Sequence, residues 1–147
     1  MSLYRLVYVS TSLLSDDPDV ERQQIADILL SSRRNNEADE ITGALLFSDT
    51  NFAQVLEGRR AEVERLYETL TQDTRHKDLL LLLTEPLAVR QFPEWSMAYI
   101  GPSQSAKEAV ALAAAGVART KDGDRARRLL GFMSQAVARG TTAKGAP

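Results

Sequence analysis

Few side chains in this sequence are placed to do chemistry, and the clearest is Gln54. It stands between Phe52 and Leu56 on one face of Phe52–Glu57, a segment that reads as a strand with its apolar side turned to the core. A buried carboxamide costs about 1–3 kcal/mol if unsatisfied, so Gln54 either braces another polar group or meets a ligand. Tyr8 is its expected neighbour, because Leu3–Ser10 also alternates and puts Tyr4, Leu6 and Tyr8 on one side. On these two residues alone, a Tyr–Gln hydrogen bond bracing the core is the plainer reading. Asn35-Asn36 closes an amphipathic segment, where asparagine commonly caps a helix. Asp73, Arg75 and His76 fall at the end of a second such segment, where cations complement a helix dipole. Trp95 and Met97 share a face of an alternating stretch and fit a core as well as a site.

The elements that must position these groups follow from periodicity. Leu3–Ser10 is apolar on both faces, as expected of a central strand. Ser15-Asp16-Asp17-Pro18 supplies an N-cap and a proline at the first helical position. Ile25, Ile28, Leu29 and Ser32 then mark a helix closing near Asn35-Asn36. Ile41–Ser48 and Phe52–Glu57 form a hairpin about Asp49-Thr50-Asn51. Val63, Leu66, Tyr67 and Leu70 mark a helix from Ala61 to about Thr74. Leu79–Leu83 reads as a buried strand, and Trp95–Ile100 as a further one. This order predicts an α+β, ferredoxin-like βαββαββ fold with a five-stranded mixed sheet and two helices on one face. Ser103–Ala118 and Asp124 to about Arg139, broken at Lys121-Asp122-Gly123, are expected to cover the other face through Leu112, Leu129, Leu130, Phe132 and Met133. Residues 1–102 would then be the main domain, 103–140 a helical cap, and 141–147 a flexible tail.

Composition narrows the chemistry further. The chain has 147 residues, enough for one domain with its own core. It contains no cysteine and one histidine, His76, which excludes thiol nucleophiles, thiolate metal sites and multi-histidine metal centres. No apolar run approaches the roughly 20 residues of a membrane span, so a cytoplasmic protein is expected. Charge is divided: 17 acidic and 10 basic residues up to Pro102 give −7, and 3 acidic and 8 basic beyond it give +5. Arg125, Arg127 and Arg128 lie in that basic part; a solvated face is the default, and a docking site for an acidic partner or nucleic acid the sharper alternative.

Taken in order, the weak signals combine. Tyr8, Asn35-Asn36, Ile41-Thr42-Gly43, Phe52-x-Gln54-x-Leu56-Glu57-Gly58, Asp73-x-Arg75-His76 and Arg90-x-Phe92-x-x-Trp95-Ser96-Met97 together closely resemble the BLUF family of flavin-binding blue-light sensors, over about Ser2–Ile100. The resemblance implies FAD as cofactor, with FMN and riboflavin as alternatives, held between the first two helices. It implies that Ile28 and Leu70 flank the flavin ring, that Asn36 and Asn35 bond its pyrimidine edge, and that Arg75 and His76 lie nearby. Gln54 would reach the N5 and C4-carbonyl region, with Tyr8 on its other side. In the family, light drives an electron and a proton from the tyrosine through the glutamine, whose rearranged bonds shift flavin absorption to the red. No covalent adduct forms, which agrees with the absence of cysteine. Trp95 and Met97 would transmit the change to the C-terminal helices.

The resemblance therefore implies a photoreceptor rather than an enzyme, acting on an unknown protein partner or through homo-oligomerisation, without membrane or nucleic acid. A flavin-dependent redox enzyme and a ferredoxin-like interaction module without a photocycle are the alternatives.

Overall fold

The computed structural model describes residues 2–116 and 123–140. The expected break at Lys121-Asp122, the end of the third helix at Ala118 and the tail 141–147 lie outside the described residues. Nine elements are described: β1 (Leu3–Ser12), α1 (Pro18–Ala38), β2 (Thr42–Phe47), β3 (Asn51–Arg59), α2 (Arg60–Thr71), β4 (His76–Leu87), β5 (Ala98–Ile100), α3 (Gln104–Gly116) and α4 (Asp124–Ala138). The strands form one mixed sheet in the order β4-β1-β3-β2-β5. Only the β2–β5 pair is parallel; the other three pairs are antiparallel. This is the expected α+β, ferredoxin-like arrangement.

Alternation on the central strands builds a core on each face. Leu6, Leu45, Phe47, Phe52 and Leu56 pack under Ile25 and Leu29 of α1 and Val63 of α2. Val7, Val9, Ala44, Leu46, Ala53 and Val55 point the other way, against α3 and α4. Asp17 caps α1, accepting from the Asp19 and Val20 N–H groups at 2.9 and 3.2 Å, and Pro18 follows as the first helical residue. Gly43 is required by close approach: a side chain there would run into the Val55 carbonyl of β3.

Several expectations need correction. β4 is a sheet edge rather than a buried strand, and Leu80 and Leu81 are exposed; five consecutive leucines do not reveal which side of a strand lacks a neighbour. The strand expected at Trp95–Ile100 shortens to Ala98–Ile100. α1 runs past Asn35-Asn36 to Ala38, and α2 ends at Thr71, so Arg75 lies in a turn and His76 opens β4. Leu112 is exposed; the small residues Ala106, Val110 and Ala113 bring α3 onto the sheet instead.

A polar row crosses the α3/α4 face. Glu85 on β4, Arg5 on β1 and Glu57 on β3 stand in cross-strand register. Glu57 Oε2 accepts from Arg5 Nε and Nη2 at 3.1 and 3.0 Å, and its Oε1 accepts the Gln91 and Phe92 N–H groups at 2.8 and 3.0 Å. Arg5 Nη1 donates to Glu85 Oε2 at 2.7 Å, and Arg127 of α4 donates to Glu85 Oε1 at 2.6 Å. Arg127 is thus paired with Glu85 while remaining exposed, Arg125 donates to the Leu112 carbonyl, and Arg128 is exposed. The Arg127 contact, joined by Arg5, holds the Glu85 carboxyl below the usual carboxylate range.

Removing one member of a buried ion pair strands its partner. Glu57→Ala is expected to lower unfolding free energy by about 3–5 kcal/mol in urea titrations, and Glu57→Gln by less. Equal and small losses for both would show that the row contributes little.

Candidate functional site

Tyr8 and Gln54 face each other across β1 and β3 as register partners, both on the side covered by α1 and α2. Both are buried, at 2% and 4% exposure. Tyr8 Oη donates to Gln54 Oε1 at 2.5 Å. The other end of the carboxamide meets a poor partner: Gln54 Nε2 donates to the Met97 thioether at 3.6 Å. Sulfur is a weak acceptor, so a strong double donor sits beneath a cleft with its hydrogen-bonding capacity underused.

That cleft lies between the two helices. Tyr8, Gln54, Leu45 and Phe52 line it from the sheet, Ile28 and Ser32 from α1, Leu70 from α2, and Asp73, Arg75 and His76 from the following turn and strand start. Apolar walls with a carboxamide at the floor suit a flat heteroaromatic ring whose edge carries acceptors. The arrangement therefore fits a flavin, on the evidence of the underused amide donors.

Electrostatics keep the floor neutral. Burial, with smaller contributions from the Asp73 carboxylate and Tyr67, pushes the Tyr8 phenol above the ordinary tyrosine range. At the rim, Arg75 Nε and Nη2 grip Asp73 Oδ1 and Oδ2 at 3.0 and 2.7 Å. That contact lowers the Asp73 pKa and raises that of Arg75. Arg75 thus meets Asp73 rather than a helix end. His76 places Nε2 at 2.7 Å from the Leu70 carbonyl and Nδ1 at 2.8 Å from Ser10 Oγ. A carbonyl only accepts, so Nε2 carries the hydrogen.

Six residues expected at the site meet in this cleft: Tyr8, Ile28, Gln54, Leu70, Arg75 and His76. Asn35 does not: its side chain is exposed, and the helix continues past it. Asn36 is buried but donates from Nδ2 to the Ser96 carbonyl at 2.9 Å, joining α1 to the segment before β5. Met97 is fully buried on the cleft side, whereas Trp95 packs against the core beneath α3 and α4. Ser32, which sequence reading counts only as a face marker of α1, also lines the cleft. Its small hydroxyl at an otherwise apolar i+7 position was the available signal.

The comparisons agree with this geometry. The family model described as "BLUF: Sensors of blue-light using FAD" matches residues 3–98. The blue light- and temperature-regulated antirepressor BluF of Escherichia coli is 33% identical over 95 residues, covering 65% of this chain and 23% of that protein. The photoactivated adenylate cyclase subunit beta of Euglena gracilis is 33% identical over 97 residues, covering 65% of this chain and 11% of that one. The match thus spans less than a quarter of either relative. Among solved structures, the dark state of BlrB, a BLUF protein, aligns with TM-score 0.70 and 29% identity over 95% of this chain and 97% of its own. The photo-activated state of BlsA aligns with TM-score 0.73 and 26% identity, over 90% and 94% of the two chains.

The raised Tyr8 pKa has a titration signature. Tyr8→Phe removes one of four tyrosines, yet is expected to leave the tyrosinate absorbance gained up to about pH 11 unchanged. Because the unfolded chain ionises this phenol first, its contribution to stability is complete below about pH 10 and falls as pH rises beyond it. A drop in the tyrosinate amplitude below that range in Tyr8→Phe would show that the phenol is solvated.

Proposed function

Since the chain belongs to the BLUF family, the sensors of blue light using FAD, we propose that Tyr8 and Gln54 are its photoactive pair and that the cleft between α1 and α2 holds the flavin. The observation that carries this reading is the buried Tyr8–Gln54 hydrogen bond, with the amide donors turned toward a thioether beneath the cleft. Bound there, oxidised flavin supplies blue-light absorption and, once excited, an electron acceptor.

Tyr8 is the donor. Its phenol would give an electron to the light-excited flavin and its proton to the Gln54 oxygen it already touches. Once both had returned to Tyr8, Gln54 would be left with its hydrogen-bond donors and acceptor rearranged. Donor and acceptor ends of a carboxamide have nearly the same shape, so the exchange costs little volume and changes only what each neighbour receives. Ile28 and Leu70 would flank the ring, and Ser32, Arg75 and His76 line the same cleft and would help to hold it. Asn36, whose amide holds the Ser96 carbonyl, would bond the pyrimidine edge of the ring. Asn35, being exposed, is left out of this set.

Output runs through Met97 and Trp95. The first touches Gln54 and the second touches the core beneath α3 and α4, so a shift of this short segment joins the two faces of the sheet. Residues 1–102 serve as the sensor and 103–140 as the output region. The product of the cycle is a changed protein surface rather than a chemical turnover, read by a protein partner or a second copy of the chain in the cytoplasm.

Tyr8→Phe and Gln54→Leu test the pair. Both are expected to retain bound flavin and to lose the reversible light-induced red shift that the unaltered protein shows. A normal red shift in either variant would assign the switch elsewhere.

A further inference from the structure

Residues 95–97 lie between Pro93 and β5 without belonging to a strand, and their three carbonyls are taken by three different donors. The Gly43 N–H donates to the Trp95 carbonyl at 3.0 Å. Asn36 Nδ2 donates to the Ser96 carbonyl at 2.9 Å, and Arg33 Nε to the Met97 carbonyl at 3.0 Å. Two of the three anchors are therefore side chains from the C-terminal half of α1, the helix that also walls the cleft, rather than a backbone ladder. Side-chain anchors can be released one at a time, whereas a ladder shifts only as a unit.

The anchored segment carries the two residues whose places matter. Met97 is fully buried with its sulfur on Gln54, and Trp95 lies on the opposite face. Exchanging them requires the backbone of 95–97 to turn over, and the Met97 carbonyl cannot turn while Arg33 holds it. Arg33 is half-buried, so its charge is partly withdrawn from water to make this contact.

We propose that Arg33 is a positioning residue of the photosensor: by holding the Met97 carbonyl, it keeps Met97 rather than Trp95 against Gln54. The proposal rests on the reading of Gln54 as the switch. It also divides the labour on α1. A cofactor that engages the Asn36 amide draws on the group that holds Ser96, whereas Arg33 anchors the segment without contributing to the cleft lining. A hydrogen bond from a half-buried charged group to a buried carbonyl biases two arrangements by about tenfold.

The test uses the full chain labelled with ¹³C at the methionine methyls, of which there are three, Met1, Met97 and Met133. Spectra are recorded without flavin and with flavin in the dark, with Met97→Leu assigning the resonance. Arg33→Ala is expected to shift or split the Met97 methyl signal, to leave Met133 in place, and to change the dark-recovery time about tenfold. Arg33→Lys, which keeps a cationic donor, is expected to restore part of both, and Arg34→Ala at the exposed neighbour to alter neither. An unmoved Met97 signal in Arg33→Ala would overturn the proposal. So would a joint shift of Met97 and Met133 with a lowered urea midpoint and no rescue by lysine, since that marks general loosening. The flavin-free spectra keep the result separate from the photosensor reading: if the unaltered protein shows no red shift, that reading fails while the Met97 signal still decides what Arg33 holds.

Discussion

The registration of β1 against β3 is the constraint on which the rest depends. One register places Tyr8 opposite Gln54 and, three residues earlier on β1, Arg5 opposite Glu57. Because strand side chains alternate, these two polar pairs point to opposite faces of the sheet. The first lies beneath α1 and α2, and the second beside the core under α3 and α4. A slip of one residue would turn each polar group onto the wrong face and separate both pairs. The same register that satisfies a buried ion pair thus assembles the candidate photoactive pair.

The two faces are connected by short paths. On β3, Gln54 contacts Met97, and Glu57 accepts the Gln91 and Phe92 amides. Both ends of the segment 91–97 are therefore held by side chains from one strand. Arg90 adds a further tie, donating to Thr42 Oγ1 and to the Glu57 and Glu40 carbonyls at 2.8–2.9 Å. At Met97 the segment is held by side chains, Gln54 donating to its sulfur and Arg33 to its carbonyl. At the other end the Glu57 carboxylate accepts the Gln91 and Phe92 amides and two bonds from Arg5.

Much of this was legible in the sequence because it is periodic. The order of elements, the cap at Asp17-Pro18 and the meeting of Tyr8 with Gln54 all follow from alternation and helical spacing. What escaped depends on neighbours distant in the chain. The row Glu85–Arg5–Glu57 joins three strands, and no local pattern marks Arg5 as a buried partner. Leu79–Leu83 looks buried by composition, yet among the described residues β4 pairs with β1 alone. Asn35 and Asn36 differ by one helical step of about 100°, which exposes one and buries the other, and the sequence alone does not say which. A strand through residues 95–97 would put Trp95 and Met97 on one face; outside strand geometry, they lie on opposite sides of the sheet.

The central claim is that the polar pair at the floor of the cleft converts light into a changed hydrogen-bond pattern around an intact flavin. The visible absorption spectrum, recorded in the dark, under blue light and during recovery, tests it most directly. The account predicts a flavin spectrum that moves slightly to longer wavelength on illumination and returns in the dark without loss of absorbance. A bound flavin that bleaches under blue light, or a protein that takes up no flavin on reconstitution, would contradict it.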